Sequence, residues 1–525
     1  MKVRTIVLIS LFCISSFYAQ EITLPDVSTQ IQGEASLLDS EAIPDFSPLF
    51  PSVEVVLPVL PSGLDTLEPV IESSNAEQSN SSDVFLQGTV GAGFPGYFLG
   101  NFSVFQKSQK NPFSVDFSHE ATNGYGRHKT SDGYNDTSTS LEGEKKWSLS
   151  DTVTTGIGAW YYTRVHGLQG NSPVFYNISQ QRIGGRIEGE ILFENNLSLL
   201  GNINTEYVNR NAGFIGTIPE NTPVGPWYVQ LQPEICLLWN SSLVDIQGTA
   251  SYTFLNFNGL ETGLLHRGNV EVDSTWQAGD RFLVNANVGA VFSNQSSRKV
   301  LVPFMLGLSF TEEYLSFTLE GGLSSNVSDI TALHNRYPYL HFENVPTEES
   351  NWYGSLEVFV PLYNTFSLLL QSDFETTAYD NGRLLPDYGT IHPVTGLFVS
   401  SVSNKTLFDT KATFEFRQEN FGLSLGWNCS WLDSIPGNSE QEILFSGSFF
   451  GKEGKWGSFI TYNQGIVSSS VPKLGLSAYY QFLPSLQAEC QISDLVYLAT
   501  GKDRIFAGNY IAPSGSVSLL LTLFL

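Results

Sequence analysis

The sequence predicts an all-β protein: a transmembrane, antiparallel, up-and-down β-barrel of about 22 strands. Three observations point there. Segments of about ten residues alternate apolar and polar side chains, the length that crosses a bilayer at a barrel's tilt. Tight turns alternate with long loops along the chain. Charged residues are 15% of the 525, against roughly 25% in average soluble proteins, while aromatics reach 13% and glycines number 47. Few charges and many aromatics suit a wall with lipid on one side and water on the other.

Taken in order, residues 1–19 resemble a secretory signal, with Lys2 and Arg4 as the basic start, Val7–Cys13 as the apolar run and Ala19 before the cut. No later stretch approaches the ~18 consecutive apolar residues of a transmembrane helix. Residues 20–83 hold twelve Asp and Glu, no Lys or Arg, and seven prolines. They are expected to form an acidic periplasmic tether, which could be a plain solvated linker or could dock on a partner or in the barrel mouth. The barrel is expected over 84–525. Its alternation is clear at Val244, Ile246, Ala250, Tyr252 and Phe254, between Asp245, Gln247, Thr249, Ser251 and Thr253. Phe421–Trp431 and Leu486–Ser493 repeat it, and the chain closes on Val517, Leu519, Leu521, Leu523 and Leu525 with no later partner. A closed sheet in lipid leaves no unpaired edge.

Placing strands gives an even count, from 84–93 and 96–107 at the start, through 299–311 and 353–362, to 485–497 and 514–525. From the sixth strand on, every second turn is tight, as at Asn195-Asn196, Ala278-Gly279 and Leu483-Pro484. The alternate loops are mostly longer: 123–135, 210–225, 326–352, 377–404 and 498–513. That asymmetry between rims is characteristic of outer-membrane barrels. Clusters such as Trp160-Tyr161-Tyr162 and Trp427 with Trp431 fit interfacial girdles. A periplasmic sandwich or propeller is the alternative, and it needs shorter strands and a second buried face.

Without Lys2 and Arg4 the chain keeps 24 basic and 52 acidic residues, a formal −28. Such a charge repels nucleic acid, so no nucleic-acid partner is expected. Three cysteines remain, Cys236, Cys429 and Cys490, an odd number in strand contexts and no disulfide framework. No zinc spacing, Walker loop or H-E-x-x-H occurs, and neither cofactor, metal nor enzymatic activity is expected. The one G-x-S-x-G string, Gly422–Gly426, lies inside an alternating segment rather than at a strand-to-helix turn. The histidines are scattered, and His334 and His341 are expected in an exposed polar loop.

With the apolar phase toward lipid, the acids Glu188, Glu190, Asp245, Glu271, Asp273, Glu320, Asp373, Glu375, Glu415 and Glu489 face the lumen. Arg182, Arg186, Lys411 and Arg417 offset them in part. An acidic lumen raises local cation concentration. Equally, these could be no more than the polar residues a wet interior requires.

The closing unit from Leu486 resembles the C-terminal hairpin of TonB-dependent outer-membrane receptors: an Asp494-Leu495 pair ending a strand, then Tyr510 and Pro513 before the last strand. Gly124-Tyr125-Gly126 and Gly133–Asp136 resemble divergent members from Bacteroidetes and spirochaetes. The resemblance implies a 22-strand barrel inserted by the barrel assembly machinery, with Leu519, Leu521, Leu523, Phe524 and Leu525 as the terminal assembly strand. Two departures stand out: 20–83 is too short and patternless for that family's plug domain, and Leu525 follows Phe524 where the family ends in Phe. The expected surroundings are the bilayer, with lipopolysaccharide or an equivalent outer leaflet, and a periplasmic partner reached through 20–83. The leading expectation is a porin-like conduit with a mildly cation-preferring lumen, its exterior mouth covered or entered by loops 326–352 and 377–404. The alternatives are a TonB-dependent-type receptor with a reduced or partner-supplied plug, and a surface adhesin or scaffold.

Overall fold

Alternating segments pair edge to edge until the last meets the first. The computed structural model describes residues 84–525 except 107–110, 216–220, 224–226, 259–262, 297, 328–329, 342–347, 364, 380–381, 434–438, 452–453, 467–470 and 514. The expected signal 1–19 and tether 20–83 lie outside the described residues. One antiparallel sheet carries 22 wall strands and two short additions, Asn221–Pro223 and Val300–Leu301. The wall begins with β1 (Val84–Phe94), β2 (Tyr97–Gln106), β3 (Phe113–Asn123), β4 (Asn135–Ser150) and β5 (Val153–Gly167). It continues through β6 (Phe175–Phe193), β7 (Leu197–Phe214), β8 (Trp227–Asn240), β9 (Val244–Asn258), β10 (Leu264–Ala278) and β11 (Phe282–Ser293). Next come β12 (Phe304–Glu312), β13 (Leu315–Val327), β14 (Glu348–Tyr363), β15 (Phe366–Thr377) and β16 (Thr406–Gln418). β17 (Phe421–Ser430), β18 (Gln441–Phe450), β19 (Trp456–Gly465), β20 (Lys473–Leu483), β21 (Leu486–Ile492) and β22 (Val517–Phe524) complete it.

β22 pairs with β1 in continuous register from Gln87↔Phe524 to Phe94↔Val517, which closes the ring. The amides of Leu86 and Leu525 each donate to the other's carbonyl, at 2.9 and 2.8 Å. Gly93 is required at this seam, because a Cβ there would lie 2.3 Å from the Val517 carbonyl oxygen. Leu519, Leu521, Leu523 and Leu525 are exposed on the outer face. Phe524 takes the inner phase with Leu520, which is buried.

The outer phase is apolar around the wall: Ile157, Ile187, Ile235, Val270, Leu306, Leu319 and Leu425 are among its exposed residues. Short turns occupy one rim; in the three-residue turn between Phe193 and Leu197, Asn195 and Asn196 both sit in the left-handed region, with φ of 63° and 58°, which Asn enters more readily than most residues.

Three expectations need correction. The segment expected as one strand over 299–311 is broken after Leu301, and β12 starts at Phe304, because Pro303 cannot donate to the ladder. β14 starts at Glu348 rather than 353, since its first residues are buried and paired with the end of β13. β21 stops at Ile492 rather than 497. The Asp494 side chain accepts from the Tyr497 amide at 3.1 Å and caps a short helix, Leu495–Thr500, where a strand was expected to end. A second helix, Ile330–Arg336, lies in the loop after β13. No helix among the described residues is long and apolar enough to cross a membrane.

Candidate transport path and the cap over its mouth

The inner phase of the wall is polar, and its charges are unevenly paired. On β4–β7, Lys146 contacts Glu144 and Glu188 at 3.3 and 3.1 Å, and Arg186 contacts the same two carboxylates at 2.7 and 3.1 Å. Arg182 meets Glu206 at 2.6 Å, and Trp160 Nε1 donates to that carboxylate at 3.2 Å. Glu190 accepts from the Thr154 hydroxyl at 3.4 Å. Strands β10–β16 carry more carboxylates among neutral partners. Glu271 accepts from Asn269 and Asp273 from Asn287. In register, Glu320 faces Ser355, Ser355 faces Asp373, and Asp373 stands opposite Asp409. Like charges directly opposite one another cost stability, so this row is not explained by packing. Lys411, Glu415 and Arg417 follow Asp409 on the same phase of β16. Glu489 is buried beside Gln491, 3.0 Å away. Asp245 lies at the short-turn rim, accepting from the Ser241 amide at 3.3 Å.

Glu375 is set apart from the other acids. Arg383 bonds it at 2.7 Å and Glu349 at 2.6 Å, tying β14 and β15 to a hairpin from the following loop. That hairpin, Arg383–Ile391 with Phe398–Ser403, adds Leu340–His341 as a parallel third strand. The loops after β13 and β15 thus share one small sheet. The last loop joins through its own hairpin, Ile505–Ala507 with Tyr510–Ile511. The Tyr510 hydroxyl donates to the Gly396 carbonyl at 2.9 Å, and its ring stacks on Tyr339 with centroids 3.6 Å apart. Gln169, from the loop after β5, exchanges hydrogen bonds with Ile511 at 2.8 and 2.9 Å, and Ser172 donates to the Val394 carbonyl at 2.7 Å.

These loops leave the rim after β5, β13, β15 and β21. β5 and β15 stand ten places apart on the ring of 22, close to opposite sides. The Ser172–Val394 contact therefore crosses the mouth.

Beneath this cap the inner wall turns apolar. Val208, Tyr228, Leu255, Phe257 and Leu265 are buried against Tyr337, Leu340, Leu384 and Leu385. Phe175, Ile178 and Ala212 are buried against Tyr339, Leu397, Phe398 and Tyr510. A wet interior face would be polar there, and burial of these side chains is what holds the loops in. Sequence reasoning missed this floor. Its signal is the run Phe254-Leu255-Asn256-Phe257, where apolar residues occupy both phases before the strand ends. His334 is buried in the cap, not in an exposed loop as expected. His341 stacks on His392 with ring centroids 4.5 Å apart. Gly422–Gly426 runs straight within β17, without the turn a nucleophile elbow needs. Among the described residues, no three His, Cys, Asp or Glu side chains gather as metal ligands.

A closed sheet with an apolar outer belt, a polar bore and unequal rims is an outer-membrane β-barrel, since lipid admits only strands whose backbone is paired all round. No family model matches the chain, and no curated protein matches it. Solved structures share the fold. The FrpB iron transporter from Neisseria meningitidis aligns over 85% of this chain and 82% of its own, with a TM-score of 0.65 and 8% identity. The siderophore receptor PirA from Acinetobacter baumannii aligns over 85% and 81%, at 0.64 and 8%. The copper transporter OprC aligns over 84% and 80%, at 0.61 and 8%.

Proposed function

We propose that this chain is a gated, non-enzymatic transport conduit of the outer membrane, its mouth closed by the loop cap and its bore favouring cations. The observation that carries the reading is the cross-mouth packing of four loops on an apolar inner floor. A steadily open porin has no use for such a floor, and a display scaffold would hold its loops outward. Structures of the same fold are named as metal transporters and a siderophore receptor, which favours selective uptake. The resemblance to TonB-dependent receptors extends the reading: a periplasmic partner would engage residues 20–83. Insertion by the barrel assembly machinery would use the terminal strand Leu519–Leu525.

The inner acids Asp245, Glu271, Asp273, Glu320, Asp373, Glu415 and Glu489 would set the cation preference, with Lys411 and Arg417 moderating it. Arg182 and Arg186 are engaged in ion pairs along their own wall.

Conductance across planar bilayers tests the reading. The intact protein should pass little current, and replacing residues 383–403 with a short Gly-Ser linker should open large, steady channels. Large channels from the intact chain, or no change on removing the hairpin, would refute the gate.

A further inference from the structure

Arg210 lies on the inner face of β7 and is only 6% exposed. It donates to the carbonyl oxygens of Pro338 and Leu340, and its Nη1 lies 3.2 Å from Nε2 of His334. All three acceptors belong to the stretch 330–341, which runs from the short helix to the strand of the cap's shared sheet. A guanidinium has donors and no acceptor. Nε2 of His334 must therefore accept, which fixes the ring as the neutral tautomer protonated at Nδ1. A proton on Nε2 would set donor against donor. It would also place a second cation beside the guanidinium, where both groups are buried and little water screens them.

We propose that Arg210 and His334 form an acid-released latch: neutral His334 and the two carbonyls hold the cap to the wall, and protonation of His334 lets it go. The inference rests on reading the cap as a gate.

Among the described residues, the charged groups that act most on His334 are Arg210 and His166, and both disfavour that proton. His166 of β5 lies on the same side, and the carboxylate beside it, Asp136, is engaged by His166 at 3.4 Å and Arg164 at 3.3 Å. Tyr337 and Tyr339 flank the ring's own segment, Tyr510 approaches from the last loop, and the His341–His392 pair lies beyond Leu340. Burial first, then Arg210 and His166, hold His334 well below the usual imidazole range. Burial, with His392 and Arg210, pushes His341 down to about 4. Both histidines bind a proton more readily once the cap opens. The closed form is therefore favoured above the ordinary imidazole value of about 6.5, and each of the two loses it about tenfold per pH unit below that.

The test is conductance of the full chain in planar bilayers between pH 7.5 and 5. Wild type should open in acid. His334→Gln keeps an acceptor for Arg210 but cannot titrate, so its opening should be shallower by one proton, about tenfold per pH unit. Arg210→Leu should conduct already at pH 7.5. Should Arg210→Leu fail to assemble, His334→Gln decides alone. An acid response in His334→Gln as steep as wild type overturns the latch. Acid leaving wild type shut while the 383–403 replacement opens it also overturns the latch, and the gate stands. A replacement that stays shut brings down both.

Discussion

Tyr497 occupies a slot that two glycines leave open. A Cβ on Gly126 would sit 2.1 Å from its hydroxyl oxygen, and one on Gly515 2.1 Å from its ring; both glycines have positive φ, +57° and +73°. Next to this slot, Asp503 accepts from Arg127 at 2.7 Å and from His128 at 3.0 Å, joining the loop after β3 to the last loop. Gly126→Ala should cost about 1–3 kcal/mol locally and raise tryptic cleavage at Arg127 without unfolding the wall. Burial raises the pKa of Asp503, but the hydrogen bonds from Arg127 and His128 outweigh it and leave the carboxyl below the ordinary range. Its contribution is present above the unfolded value of about 3.9 and lost as pH falls below that. Detachment of this loop pair, followed by cleavage after brief acid exposure, should thus occur at lower pH than release of the latch. Gly93→Val should weaken the β1–β22 seam, read as a lower temperature at which the folded band disappears on unboiled gels.

Among the elements, the cap should respond as one piece and the wall as another. Phe398 packs edge-on to Tyr388 and Tyr510 at 4.8 and 5.6 Å, and it is 1% exposed. Phe398→Ala should cost the cap about 3–5 kcal/mol. Amide exchange should then rise together in 337–341, 383–403 and 505–511, while β17–β20 stay protected. Elements of the wall were legible because each repeats one signal over a whole bilayer crossing, and turns such as Asn195-Asn196 carry their own backbone chemistry. The short helices 330–336 and 495–500 were not legible. Helices of six or seven residues are decided by packing and a cap rather than by propensity, and Asp494 acts through a neighbour, Arg504, 2.5 Å away across the loop. Arg210 and Tyr339 were equally hidden, and Tyr510 was read only as a mark of the closing hairpin, because only the folding of distant loops brings the three together.

At the scale of the whole molecule, the proposed bore would be electrically two-sided. Ion pairs among Lys146, Glu144, Arg186 and Glu188 neutralise the β4–β7 wall, while Glu320, Asp373 and Asp409 line the β13–β16 side. Reversing Asp373 and Asp409 to Lys in the 383–403 replacement should lower the ratio of cation to anion permeability by about tenfold, the lower end of charge-focusing effects. An unchanged reversal potential under a salt gradient would remove these residues from the path. The double reversal leaves Glu375, the partner of Arg383 in the intact cap, unchanged.

The bond between Ser172 and Val394 has one more consequence. A door hung from one side of a frame can swing through every intermediate angle, whereas an arch knitted from facing sides stands or falls. Single-molecule current traces from this protein should accordingly jump between shut and fully conducting levels, with no ladder of substates between them.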